Sequence, residues 1–404
     1  MDPIKNPFSP GAGTPPPELA GRKPILDRAK VCLGRIMAGK SEKSFLLVGL
    51  RGVGKTVLLN EINKIAEEQG FKSILLEAHE DKRLPILLLP VLRQILYQLD
   101  RMEGLSEKVK RGFRVLRSFL NAVKVKYQDI EVGLDIDPET GTADSGDIES
   151  DLAALFEAVA EAASDRNTAI ALIIDELQYL NELEMSALIM AVHRVSQKQL
   201  PFVLIGAGLP QLVALTGKSK SYAERLFDFP PIGALSRQDA DKALLEPARA
   251  RNANFEDAAL KEVYEQTKGY PYFIQEWGYQ AWNLSPTSNI DLLTVQKATQ
   301  QAINRLDESF FRVRFDRLTP SEKRYLRALA QLGDGSQRSG DIAEELGVKG
   351  QTVAPTRNNL IKKGMIYSPS HGDTDFTVPL FASFMRRMIP VEKFETEKQS
   401  GPTT

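Results

Sequence analysis

The sequence predicts an α/β protein, with a parallel-sheet core covered on both faces, then an all-α unit, then a small unit of helices closed by a β-hairpin. Three observations carry this. Apolar runs of strand length (Ser44 to Leu50, KSILLEA from Lys72, TAIALIID from Thr168 and LPFVLIGAG from Leu200) alternate with helical patterns, as expected of strands buried on two sides. From Ser236 to about Asn304 only helical spacing remains, and from about Arg317 the order becomes helix, helix, turn, helix and hairpin.

The elements follow in order. After a proline-rich opening (residues 1–24), Ile25 to Ala38 has helical spacing, with Ile25, Ala29, Leu33 and Ile36 on one face. Amphipathic helices are expected over roughly Leu84 to Met102 and Ser106 to Val123. Alternation from Val123 to Ile136 predicts a β-hairpin insertion, and the acidic loop DPETGTADSGD extends the insertion to about residue 147. A helix begins near Ile148, and a last strand is expected from Leu226 to Phe229. These readings divide the chain into a core at 25–235, a helical unit at 236–304, a third unit at 305–390 and a disordered tail at 391–404.

Composition sets limits. The 404 residues can form two or three domains. Lys and Arg total 52 against 53 Asp and Glu, so the molecule as a whole is not a polycation, and any nucleic-acid surface must be local. One cysteine, Cys32, excludes an internal disulfide framework and suits a reducing compartment. The N-terminus has no apolar h-region, and LPILLLPVL from Leu84 is too short for a bilayer. A cytoplasmic chain without a membrane partner is expected.

The chemistry centres on VGLRGVGKTVLLNEI, Val48 to Ile62. Gly49, Arg51, Gly52, Val53, Gly54, Lys55, Thr56 and Val57 belong to a GxxxxGK[ST] loop between a strand and a helix. Glycines let backbone N–H groups turn inward around phosphates, and the helix N-terminus adds positive potential. Lys55 reaches the outer phosphates and Thr56 ligates Mg²⁺. A second acidic element is expected at the end of a neighbouring strand, and Asp175-Glu176 ends the Thr168 run. Asp175 would hold Mg²⁺ and Glu176 would polarise a lytic water. The expected cofactors are therefore ATP and Mg²⁺.

With these motifs the chain resembles AAA+/STAND-type P-loop ATPases, close to the archaeal-ATPase and origin-recognition-like group, over almost its whole length. The resemblance implies a P-loop NTPase αβα core, a helical lid and catalytic roles for Lys55, Glu176 and Arg225. Gly21-Arg22 matches the Gly-Arg element on the adenine side, although Lys23 replaces the usual acid. Gly269-Tyr270-Pro271 matches the GxP element, whose proline, Pro271, packs by the nucleotide. Two features of the group are missing: the GxP element has no sensor arginine, and the fourth strand ends in Gly206-Ala207-Gly208 where many relatives carry a polar sensor. Backbone groups or Gln178 would then orient the water. Arg225 either reaches a neighbouring subunit's γ-phosphate, which implies a homo-oligomer, or pairs locally with Glu224 or Asp228. His193 has no metal-ligating neighbour and reads as structural. Phe273, Trp277, Tyr279 and Trp282 read as packing.

The third unit resembles a winged helix-turn-helix, with Lys349, Gln351, Thr352, Thr356, Arg357, Asn359, Lys362 and Lys363 on the candidate recognition helix. From Arg317 to Pro390 there are 11 Lys and Arg against 7 Asp and Glu, an excess that favours duplex DNA. Against DNA stand Pro355 in the first turn of that helix and Asp373 and Asp375 on the wing. Two functions stay open. One is an ATP-hydrolysing switch coupled to DNA binding. The other is a slow or non-hydrolysing nucleotide switch that scaffolds a protein assembly, with the insertion as a docking surface.

Overall fold

The computed structural model describes residues 1–11, 13–102, 106–123, 137–370 and 372–399. The expected hairpin lies outside these residues, apart from Val123 at the end of a helix. The chain divides into two compact units. One comprises Arg22–Gly49 and Lys55–Ile232, and the other Met1–Gly21, Leu50–Gly54 and Gly233–Thr404.

The first unit is an αβα sandwich. Its elements are α1 (Lys23–Met37), β1 (Ser44–Val48), α2 (Lys55–Glu68), β2 (Lys72–Glu77), α3 (Leu84–Asp100), α4 (Glu107–Ala122), α5 (Ile148–Asp165), β3 (Ile170–Asp175), α6 (Glu182–Gln197), β4 (Phe202–Gly208), α7 (Gln211–Ser219), α8 (Ala223–Leu226) and β5 (Phe227–Asp228). The five strands run parallel in the order β2-β3-β4-β1-β5. β3 and β4 are buried along their whole length, which is why both read as unbroken apolar runs. The order corrects one expectation. β3, which carries Asp175, does not neighbour β1, because β4 lies between them.

Local chemistry fixes the helix ends. Ser106 caps α4 through the Val109 N–H, and Asn181 with Glu184 forms a capping box on α6. Glu184 also accepts from the Leu84 N–H at 3.0 Å, so one buried carboxylate serves two helix starts. Six leucines and isoleucines of the α3 run are fully buried (Leu84, Leu88, Leu92, Ile95, Leu96, Leu99). The acidic loop is folded onto its own unit. Glu139 pairs with Arg111 at 3.0 Å, Asp144 accepts from the Gly141 N–H, and Asp147 caps α5. Those carboxylates therefore close turns and cap a helix.

The second unit contains α9 (Arg237–Arg249), β6 (Asn254–Phe255), α10 (Asp257–Thr267), α11 (Pro271–Leu284), β7 (Asn289–Ile290), α12 (Leu292–Arg305), a six-residue π-turn at Leu306–Phe311, α13 (Arg312–Asp316), α14 (Pro320–Gln331), β8 (Gln337–Arg338), α15 (Ser339–Glu345), α16 (Gly350–Lys362), β9 (Ile366–Tyr367), β10 (Asp373–Phe376), α17 (Phe381–Met388) and α18 (Val391–Gln399). The stretch expected to be all helical also holds a two-residue parallel pair, β6 with β7, which seats Phe255 and Ile290 in the core. It is too short to produce a periodic signal. The wing has three strands, β8-β10-β9. β8 occupies residues that read as the approach to a helix.

Two further segments depart from expectation. The proline-rich opening straps α11. Phe8 is buried against Phe255, the Trp282 indole N–H donates to the Asp2 carbonyl, and Asn6 donates to the Tyr279 carbonyl. Of the tail expected to be disordered at 391–404, the described part, Val391–Gln399, forms α18, in which Phe394 is fully buried with the Arg327 guanidinium 4.9 Å from its ring centre. Burying one aromatic ring outweighs the polar composition around it. Among the described residues, no helix is long and apolar enough to cross a membrane.

Candidate nucleotide-binding site

In the first unit, β1 delivers the chain to Gly49, whose N–H donates to the Gly208 carbonyl at 3.1 Å. Lys55 opens α2. Its side chain is buried and its Nζ donates to the Gly49 carbonyl at 2.9 Å. Thr56 follows, and its Oγ1 donates to Asp175 Oδ2 at 2.5 Å. The intervening β4 does not keep these groups apart. Burial pushes the Asp175 carboxyl above the usual range, partly offset by the Thr56 hydrogen bond. A buried carboxylate touching a hydroxyl at a helix start is a donor set suited to a hydrated divalent ion.

Glu176 lies one residue beyond Asp175, with φ at +54°, a left-handed conformation that side chains other than glycine seldom adopt. Gln178, in the one-turn helix that follows, donates from Nε2 to Glu176 Oε2. Its Oε1 accepts from the Leu209 N–H at 3.0 Å. The glycines ending β4 are required for space. A Cβ on Gly206 would sit 2.3 Å from Leu177, and one on Gly208 would sit 2.8 Å from Gln178 Oε1. The missing polar sensor is thus a steric consequence of what the Leu177–Tyr179 turn places there.

The apex of the glycine-rich loop belongs to the second unit. Gly52 and Gly54 have φ of +81° and +90°, which lets the loop curl with its amides inward. Val53 is buried. The Arg51 N–H donates to the Thr377 carbonyl just after β10, and the Tyr272 N–H donates to the Gly52 carbonyl. Neither Thr377 nor Tyr272 carries a sequence signal for this contact, since both act through the backbone. Gly21 also lies in this unit, with the Asp239 carboxylate where a Cβ would be. Pro271 is the first residue of α11.

The remaining candidates are placed as follows. Arg22 caps the start of α1 and is nearly buried. Val57 is half-buried in the first turn of α2. Arg225 is exposed on α8, and Asp228, one of its two expected local partners, pairs with Arg28 instead. His193 packs on the Tyr222 ring at 4.6 Å. The Trp277 indole N–H donates to Thr299 inside the core.

On the winged helix, Arg357 is committed. It donates to Thr374 Oγ1, Ser368 Oγ and the Asp373 carbonyl, each at 2.9 Å. Lys363 pairs with buried Glu322 at 2.8 Å. Asp375 is half-buried, and burial raises its carboxyl. Exposed along α16 are Gln351, Thr352, Pro355, Asn358, Asn359 and Lys362, with Lys349 just before it.

The comparisons agree with this geometry. Residues 18–205 match the AAA ATPase domain family, and residues 308–385 match a domain of unknown function (DUF8462). An uncharacterised HTH-type transcriptional regulator of Methanocaldococcus jannaschii is 23% identical over 377 residues, covering 88% of this chain and 85% of the relative. Among solved structures, the Walker-type ATPase PABY2304 of Pyrococcus abyssi aligns at a TM-score of 0.56 and 16% identity, over 92% of this chain and 97% of its own. The Cdc6p structure from Pyrobaculum aerophilum aligns at 0.47 and 14% identity, over 98% and 99%. The glycine-rich loop and the parallel sheet order are consistent with the match of residues 18–205 to the AAA ATPase domain family, and the solved-structure likeness shows a shared fold.

Proposed function

We propose that the protein is a Mg²⁺-dependent ATP-binding and ATP-hydrolysing switch that couples its nucleotide state to the winged helix. The observation that carries this is the Thr56–Asp175 hydrogen bond, which joins the two halves of a metal-phosphate site. Thr56 and Asp175 would hold Mg²⁺, which would supply neutralisation of phosphate charge. Lys55 would bind the outer phosphates, and Glu176 would accept a proton from the attacking water. Arg225, exposed and without Asp228 as partner, is suited to act on a neighbouring copy. Coupling to the winged helix is supported by the bond from the loop apex at Arg51 to Thr377. Duplex DNA is the favoured partner, on the exposed polar face of α16 and the similarity to an HTH-type regulator.

Turnover and nucleotide binding test this reading. Lys55→Ala is expected to lose both, whereas Glu176→Gln keeps binding and loses turnover. Equal turnover in wild type and Glu176→Gln removes the assigned base. A duplex-DNA titration across a salt series, with and without ATP, tests the partner. The second reading, a slow switch that scaffolds a protein assembly, is favoured by the internal commitment of Arg357. It predicts ATP-dependent oligomers and a flat DNA response in both nucleotide states.

A further inference from the structure

We infer that Gln178 is the positioning residue for Glu176, taking the place of the polar sensor that β4 lacks. The inference rests on the ATPase reading above. A side-chain amide has an acceptor at one end and donors at the other. At Gln178 the acceptor is committed to the Leu209 N–H at the end of β4. The amide therefore cannot be flipped without facing its NH₂ against that N–H, and only the donor end is left for Glu176 Oε2. Both the attachment and the polarity of the amide are fixed by the backbone.

Three neighbouring residues make the arrangement possible. Gly208 has no Cβ, and one placed there would lie 2.8 Å from Gln178 Oε1. Leu177, in the same turn, fills the volume over Gly206 where a sensor side chain would stand. Glu176 holds φ at +54°, so its carboxylate leaves the strand end in a direction that an ordinary extended backbone would not give. The amide donor then restrains the carboxylate to one orientation, from which it can accept a proton from water at a fixed place. Gln178 touches neither water nor phosphate in this assignment. It acts through Glu176, and it connects the end of β4 to the acidic pair on β3.

Two substitutions separate the donor from the scaffold. Gln178→Glu keeps an acceptor for the Leu209 N–H but loses the donor to Glu176, whereas Gln178→Leu loses both. Steady-state ATP turnover and binding of a fluorescent ATP analogue are measured for each. The expected result is a fall in kcat of about tenfold or more in both variants, with KM and analogue affinity within about twofold of wild type. Gly208→Ala, which presses on Gln178 Oε1, is expected to lower kcat in the same way and serves as the test should either Gln178 variant fail to fold. Three outcomes overturn the inference while leaving the ATPase reading intact: kcat unchanged in both variants, kcat lost in Gln178→Leu alone, or kcat raised, which would make Gln178 a latch. Absence of turnover in wild type, matched by Glu176→Gln, overturns the ATPase reading and this inference together.

Discussion

Adding a methyl group at Gly206 tests why β4 ends in small residues. In the structure it would lie 2.3 Å from Leu177 Cδ1, 2.8 Å from Leu46 Cδ2 and 3.4 Å from the Ile174 carbonyl oxygen. Leu46 and Leu177 are both fully buried, so neither can swing into open space. Overpacking of this kind costs about 2 kcal/mol, which for a unit of this size lowers the melting midpoint by roughly 4–8 °C. Leu177→Ala alone opens a cavity and costs about 2–5 kcal/mol. In the double variant the new methyl occupies space that Leu177 vacates, so the pair should cost less than the sum of the singles by about 1 kcal/mol. Urea and thermal unfolding of the four proteins, followed by circular dichroism, measure this cycle. The steric account fails if Gly206→Ala melts within about 1 °C of wild type, or if the two substitutions add to within about 0.5 kcal/mol.

Three other predictions concern separate parts of the chain. Lys363→Ala leaves the Glu322 carboxylate buried without its cation and should destabilise the winged helix by about 1–3 kcal/mol at neutral pH. Burial raises Glu322 and the Lys363 bond lowers it, with a net fall below 4.5. The pair's contribution is thus full above that value and is lost as pH falls through the lower folded one, so wild type and variant melts should converge in acid. Lys349→Ala with Lys362→Ala, both exposed, should reduce the salt slope of any duplex-DNA binding by about two without lowering the melting midpoint. A slope that stays the same would place the contact elsewhere. Burial pushes the Cys32 thiol from 9.0 up to about 12. A thiol reagent at pH 8 to 9 should therefore label the native chain only at its unfolding rate, and stability should fall as pH rises from 9.0 towards about 12, where the unfolded chain releases a proton that the folded one retains.

The parts of this molecule legible in the sequence are those written in consecutive residues. The glycine-rich loop is a local turn between a strand and a helix, and its place in the fold follows from spacing. The apolar runs of β3 and β4 state their own burial. Strand order is not local, and nothing in either run says that β4 enters between β1 and β3. The Gly206-Ala207-Gly208 ending therefore reads as a missing sensor, when it is a space filled by Leu177 and Gln178 from another strand's end. Phe8 and Phe394 fail for the same reason. Each is a lone aromatic in a polar or proline-rich stretch, and each is buried by elements elsewhere in the chain. A composition count sees the stretch but not the pocket that receives one side chain.

The charge excess of the third unit shows the same limit and bears on the proposed partner. Of its basic residues, Arg327 donates to the Ile389 carbonyl, Arg386 to the Ala330 carbonyl and Arg387 to Asp307. Arg357 is held by the wing, and Lys363 by Glu322. These five stitch helices and strands together, and their positive charge is spent inside the chain. Phosphate contact by the winged helix must then rest on the other six, Arg317, Lys323, Arg324, Arg338, Lys349 and Lys362, of which only Lys349 and Lys362 lie at or on α16, a weak electrostatic footprint there for a protein with no net positive charge. Affinity for duplex DNA should consequently need either several copies of the chain acting together or a nucleotide-dependent release of Arg357. The second route has a structural handle. Arg357 is tied to Thr374 on β10, and the residue that receives the Arg51 N–H, Thr377, lies three positions further along the same segment. A change in loop shape would therefore be felt first on the strand that restrains the only arginine of α16.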